Sequence, residues 1–488
     1  MSNLTHLYQH SLSLLTDLYQ LTMAYGYWKS GRTNHQSVFH LFFRTLPFNG
    51  HYAVAAGLQT AVEYLQQFHI TTDDIAYLQT LTGNDGKPLF EPAFLDYLTQ
   101  LKFDCDVDAI PEGTVVFPHE PLLRIKGSLI QTQLLETALL NIINFQTLIA
   151  TKSARVCQAA QGDSVLEFGL RRAQGIDGAL SASRAAYIGG CTATSNVLAG
   201  KLFGIPVKGT HAHSWIMSFD DELEAFKVYA QAMPNNCIFL VDTYDSIHGI
   251  ELAIQMGHEL RQQGHEMVGI RLDSGNMNRL SQKARQMLDQ ADFPNAKIVA
   301  SNDLNEFVIS ELKQNGAKID IWGVGTQLAT AYNQPALGGV YKLSAIREND
   351  SQAWQYRLKL SEQTVKTSNP GIIQVKRYRD ENQQFMLDML YDEPSTIQNP
   401  VQYVPIGETE PVALDSTWVG QDLLQPIMRQ GQLVTDLPDL VQIQQRTQSQ
   451  LQQLPNSHAL QAITHYPIGL ELGYYELKQR LMQQLRRK

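Results

Sequence analysis

The chain has 488 residues, too many for one ordinary core, so two or three domains are expected. A hydrophobic share of 43% with 18% charged residues is that of a folded globular protein, and a net charge of −10 argues against a general nucleic-acid or anionic-membrane binder. Cys105, Cys157, Cys191 and Cys237 lie far apart with no CxxC pair, so neither a zinc cluster nor a disulfide framework is indicated.

The first twenty residues lack a basic segment followed by an apolar core, and no apolar run is long enough to span a bilayer. A reducing, cytoplasmic setting is the expectation. Residues 14–28 carry apolar side chains at helical spacing, with Thr16 and Asp17 near an N-cap. Residues 37–43 read as a strand and 55–68 as a helix. Residues 110–125 are broken by Pro and Gly into short strands and turns, and a long helical pattern fills 131–160.

From about residue 164 the pattern changes. Short apolar runs end in polar or glycine-rich residues: SVLEFGLRR, IPVKGTHAHS, CIFLVDTYDS, MVGIRLDSGN, AKIVASNDLN, IDIWGVGTQL and GGVYKLSAIR. Helical patterns at 250–263 and 277–289 separate several of them. Strands alternating with helices imply a parallel sheet, whose ligand site lies at the C-terminal strand ends. Seven such ends favour a β/α barrel, and no GxGxxG fingerprint supports a dinucleotide fold. Beyond Arg347, residues 354–360 and 371–379 read as antiparallel strands, and a Gln-rich helical end covers 439–454 and 473–485. The expected fold is therefore α/β. It has an irregular β/α barrel (131–347), a flanking N-terminal α/β domain (1–130), strands returning to it (348–410) and a helical C-terminal extension (411–488).

The strand ends supply arginines that can grip a carboxylate or phosphate and carboxylates that can hold Mg²⁺ or sugar hydroxyls. Arg171, Arg271, Asp242, Asp273, Asn302 and Asp303 are among them, with His211 and His213 in GTHAHS. The glycines of GVGT would admit phosphate oxygens to backbone N–H groups. Each has a plainer reading: a surface pair for Arg171-Arg172, a helix cap for Asp242, a structural ring for His213, a core ring for Tyr19. HAH has a metal-ligand look, but no third ligand motif lies nearby.

LLTDLYQLTMAYGYW, FFRTLPFNG, EFGLRRAQGIDGALSASRAAYIGG, NVLAGKLFGIPVKGTHAHSW, VDTYDS, RLDSGN, ASNDLNE and WGVGTQL occur in that order. Together they resemble the successive signatures of the nicotinate phosphoribosyltransferase family, type II phosphoribosyltransferases. The resemblance runs from about residue 14 to 380. It implies formation of nicotinate mononucleotide and diphosphate from nicotinate and phosphoribosyl pyrophosphate, coupled to ATP through a phosphohistidine matching His213. It also implies Mg²⁺ and a homodimer with shared sites. Tyr19 of one subunit and Phe168 would sandwich the pyridine ring. Arg171, Thr210 and Arg271 would hold the ring and its carboxylate, and Asp273 the ribose hydroxyls. Asp242, Asn302, Gly325 and Thr326 would meet the phosphoribosyl and diphosphate groups, with Asp273 and Asp303 near the metal. Cys191 matches a position where amide-using relatives carry Asp, so it is expected to face the ring and set acid specificity. Asn276 and Asn305 stand where the family pattern has Asp. Two other readings are a barrel enzyme with a Schiff-base Lys208 or Lys342, and a catalytically dead binding subunit.

Overall fold

The computed structural model describes residues 11–361, 367–460 and 465–487. The expectation about a targeting segment falls in part on residues 1–10, outside this range. No helix among the described residues is long and apolar enough to cross a membrane. The chain divides into two compact units. One comprises residues up to Leu148 and from Ala336 on, and the other is Ile149–Pro335.

The second unit is built on a six-stranded parallel sheet. Its strand order is Ala193–Thr194, Ser164–Glu167, Ile321–Val324, Lys297–Ala300, Gly269–Leu272, Ile238–Leu240. These strands are short and almost wholly apolar because helices cover them, as parallel sheets require. Helices such as Ser246–Gln262, Met277–Gln290 and Glu306–Gln314 follow successive strands. Polar side chains at the strand-to-helix turns start them. Asp245 accepts from the His248 N–H at 2.8 Å, Asn276 from Arg279 at 3.0 Å, and Asn305 from Phe307 at 2.9 Å and Val308 at 3.0 Å. Asn276 and Asn305 are thus N-caps, a task that Asn and Asp perform about equally well.

Segment 205–211 joins the sheet without forming a regular strand. Thr194 bonds to it on one side, donating to the Pro206 carbonyl and accepting from the Lys208 N–H, both at 3.0 Å. On its other side the His211 Nε2 accepts from the Leu240 N–H at 3.2 Å.

The first unit holds sheets that are antiparallel except where Phe385–Asp392 pairs in parallel with Ile468–Glu471. The strand Gln36–Phe43 runs between Gly339–Arg347 and Leu123–Ser128 in a seven-stranded sheet, with Gln36 opposite Arg347 and Phe43 opposite Gly339. GGVYKLSAIR, expected as a barrel strand, is therefore an antiparallel strand of this unit. Its apolar content suits either sheet, and the choice rests on a partner about 300 residues earlier. A six-stranded sheet combines Ile373–Arg379 and Phe385–Asp392 with Ile468–Glu471. Residues 411–488, expected to be helical, do contain the helices Leu440–Gln453 and Leu472–Arg486. They also supply strands Val412–Ala413, Val419–Asp422, Gln425–Arg429 and Ile468–Glu471, which fill positions in both sheets.

Candidate active site

At the C-terminal ends of the parallel strands a cavity of about 310 Å³ opens. Its polar walls come from Arg171, Ser195, Thr210, His211, His213, Arg271 and Asp273, with Phe168 as the aromatic wall. Phe168 follows the strand Ser164–Glu167, and its N–H bonds to the Val324 carbonyl at 2.8 Å. Gly323 on the neighbouring strand leaves room for the ring, since a Cβ there would stand 2.7 Å from Phe168 Cδ2. The first glycine of GVGT thus serves ring packing, where phosphate access was expected.

Arg271 is the organising charge. Its Nε donates to Ser301 Oγ at 2.8 Å, one terminal nitrogen to Thr210 Oγ1 at 3.0 Å and the other to Asp273 Oδ1 at 2.9 Å. Its guanidinium carbon lies 5.6 Å from the Phe168 ring centre. Three of five N–H groups are so held, and the planar fork is locked in place. Burial works against ionisation of Asp273, but the Ser301 hydroxyl and Arg271 outweigh it and hold the carboxyl below its usual range. Asp242 stands behind this carboxylate. Its Oδ2 accepts from the Asp273 N–H at 2.6 Å and from Ser274 Oγ at 2.8 Å, while its buried Oδ1 has no partner. His213 opens the short helix His213–Ile216. Its Nδ1 is 3.1 Å from Thr243 Oγ1 and its Nε2 is 3.6 Å from Asp273 Oδ2.

The cavity therefore unites six of the expected residues: Phe168, Arg171, Thr210, His213, Arg271 and Asp273. Asn302, Asp303, Gly325 and Thr326 sit on the turns after adjacent strands, outside its wall. Asn302 and Asp303 are exposed and have φ of 87° and 20°, a conformation uncommon for residues other than glycine. Tyr19 lies in the first unit, 48% exposed on the helix Leu18–Lys29. Lys208 is exposed, and Lys342 lies on Gly339–Arg347 in the first unit; neither lines the cavity, so the Schiff-base reading finds no support.

Cys191 requires a correction. It is 1% exposed, its Sγ lies 3.3 Å from Ser153 Oγ, and it takes no part in the cavity wall. The preceding Gly189 lets the chain press onto the helix Glu136–Ala159, where a Cβ would stand 2.4 Å from the Ala150 carbonyl oxygen. The thiol then turns to that helix, and contact with Cys157 and burial push its pKa up. Sequence reading missed Ser301 and Thr243, although ASNDLNE and VDTYDS contain them. Each is a small hydroxyl beside a more conspicuous Asn or Asp. It also missed Ser195, which no motif marks.

A cavity walled by Arg171, Arg271 and Asp273 at the C-terminal ends of a parallel sheet stands where α/β enzymes bind their ligands. Three descriptions match along the chain. They are the nicotinate phosphoribosyltransferase N-terminal domain at residues 14–144, the nicotinate phosphoribosyltransferase family at 164–386 and the C-terminal domain at 373–478. The nicotinate phosphoribosyltransferase of Bacillus subtilis is 43% identical over 94% of this chain and 93% of its own. The human enzyme is 35% identical, covering 94% of each. The crystal structure of human nicotinic acid phosphoribosyltransferase superposes with a TM-score of 0.82 at 32% identity, covering 96% of this chain and 99% of that one. The nicotinate-nucleotide pyrophosphorylase structure from Pyrococcus furiosus, 22% identical with a TM-score of 0.66, shares the fold. The chain belongs to the nicotinate phosphoribosyltransferase family. Its activity is that of a nicotinate phosphoribosyltransferase in NAD salvage.

Proposed function

We propose that this enzyme drives nicotinate mononucleotide synthesis with ATP, through a phosphate carried on His213. The carrying observation is that Phe168, Arg171, Arg271, Asp273 and His213 converge on one cavity. Phe168 supplies a face for the pyridine ring. Arg171 and the uncommitted N–H groups of Arg271 meet the carboxylate, so preference for the acid over the amide comes from these cations and owes nothing to Cys191. The ring nitrogen attacks C1 of the ribose as the C1–O bond to diphosphate breaks, and Asp273 faces the positive charge that grows on the sugar. Asp242 orients Asp273. Asn302, Gly325 and Thr326 meet the phosphoribosyl and diphosphate groups.

Among the described residues no three His, Cys, Asp or Glu side chains form a ready metal cage. Mg²⁺ keeps water and substrate phosphates as most of its ligands. Asp273 and the exposed Asp303 are the carboxylates that would meet it, and it would neutralise charge on the diphosphate. In the coupling, a ring nitrogen of His213 attacks the γ-phosphorus of ATP and releases ADP; water later takes the phosphate. The enzyme acts as a homodimer in the cytoplasm, Tyr19 reaching the partner's pyridine ring. Its 48% exposure on an apolar stretch with Leu15, Leu18 and Met23 supports that reading.

The test is conversion of radiolabelled nicotinate with and without ATP. His213→Ala is expected to abolish the stimulation by ATP and keep slow basal synthesis. Mass spectrometry after ATP treatment should find phosphate on a His213 peptide; phosphate on His211 would overturn the assignment.

A further inference from the structure

The two edges of the parallel sheet meet one segment by different means. Thr194 holds residues 206–208 through ordinary backbone hydrogen bonds. The edge strand Ile238–Leu240 meets the same segment through a side chain, the His211 ring. Leu240 is buried, so its N–H needs an acceptor. Nε2 provides it, and an imidazole that accepts at Nε2 must carry its proton on Nδ1.

The ring is enclosed by its neighbours, and its buried Nδ1 has no hydrogen-bond partner. It is 8% exposed, packs edge-on against Tyr229 at 4.9 Å between centres and lies 6.2 Å from Phe226. Burial pushes its pKa down to about 4, with the Ala212 backbone opposing and the Arg271 and His213 charges reinforcing that shift. The imidazole is therefore neutral, and able to accept, throughout the physiological range. Its neighbours in the chain both belong to the cavity. Thr210 Oγ1 donates to the His211 carbonyl at 3.1 Å and receives Arg271 at 3.0 Å. His213, two residues on, meets Thr243 and Asp273.

We propose that His211 is a positioning residue, the side-chain link that ties the strand Ile238–Leu240 to the segment carrying Thr210 and His213. It thereby sets where both stand against Arg271 and Asp273. The inference rests on reading the cavity as the nicotinate site. His211 itself takes no phosphate and donates nothing to substrate.

The experiment compares two variants of the full-length enzyme. His211→Gln can place an oxygen acceptor near the position of Nε2; His211→Phe keeps a flat ring and removes the acceptor. For His211→Phe, a misplacement of the cavity groups predicts a loss of about 10- to 100-fold in kcat/KM, with KM for nicotinate raised. His211→Gln should recover most of that loss. A Phe variant equal to wild type, or Gln and Phe variants equally impaired, would overturn the proposal. ¹⁵N spectra of selectively histidine-labelled wild type, with His211→Gln identifying the signal, provide a readout that survives a failure of the Phe variant to fold. A neutral ring protonated on Nδ1 at pH 7 is expected, and a proton on Nε2 would refute the link. A wild type inactive on nicotinate would instead sink the reading of the cavity, and the spectrum would still decide the link.

Discussion

Two arginine–aspartate pairs, one in each unit, use the same chemistry to opposite ends. In the parallel-sheet unit, Arg271 and Asp273 are 16% and 28% exposed in their side chains, and each leaves part of its hydrogen-bonding capacity facing a cavity. In the other unit, Arg377 and Asp388 are both 0% exposed. Arg377 Nε lies 2.8 Å from Asp388 Oδ1, and a terminal nitrogen donates to Gln450 at 3.1 Å. Phe385 and Phe117 flank the guanidinium at 4.4 and 5.5 Å. Tyr466 donates to the same carboxylate at 3.1 Å. Glu120 adjoins the cluster, and burial together with Asp388 pushes its pKa well up. A charge pair becomes a binding device when its donors are held on one edge and left open on the other. Enclosed on every side, it becomes a structural element.

The largest expected effect tests the enclosed pair. Arg377→Met leaves Asp388 without its cation and should cost about 3–5 kcal/mol in urea unfolding, whereas a loss under 1 kcal/mol would show that the cluster relaxes freely. The open pair should behave the other way. Arg271→Lys keeps the charge and loses the fork, so kcat/KM for nicotinate should fall by roughly 10- to 100-fold, about 1.5–3 kcal/mol, with little change in unfolding. Equal turnover by the lysine variant would remove Arg271 from carboxylate recognition.

A weaker effect concerns pH. Because the folded-state pKa of Glu120 lies above its ordinary value of 4.5, its contribution to stability is full below that value. It declines as pH rises toward the folded-state pKa. Glu120→Gln cannot lose a proton, so its stability relative to wild type should improve steadily as pH is raised. Parallel stability curves for the two proteins would mean that Glu120 is ionised in the fold. The smallest effect is expected at the departures from the family pattern. Asn305→Asp exchanges one good N-cap for another and should alter stability by no more than about 0.5 kcal/mol. Turnover should not change, and a marked shift in its Mg²⁺ dependence would place residue 305 at the diphosphate.

Much of this was legible in the residues alone. Apolar runs ending in polar residues specify parallel strands with a site at their C-terminal ends, because a strand covered on both faces can show polar groups only where it stops. Arg171, His213, Arg271 and Asp273 were readable for that reason, and the ordered motifs named their family and, through it, Thr210. Direction and partnership were not readable. Cys191 follows two glycines near the sheet, yet whether it meets the cavity or a helix depends on what packs against Gly189. Asn276 and Asn305 looked like lost carboxylates until their hydrogen bonds to the next turn of helix appeared. GGVYKLSAIR has the composition of a strand in either sheet, and only its pairing with Gln36–Phe43 assigns it. His211 gave no sign that its ring substitutes for a backbone acceptor. Sequence by itself determined which groups exist and in what local pattern, because propensity and periodicity act between near neighbours. Tertiary structure alone decided which groups face the cavity and which are enclosed, because burial and hydrogen-bond partners come from residues distant in the chain.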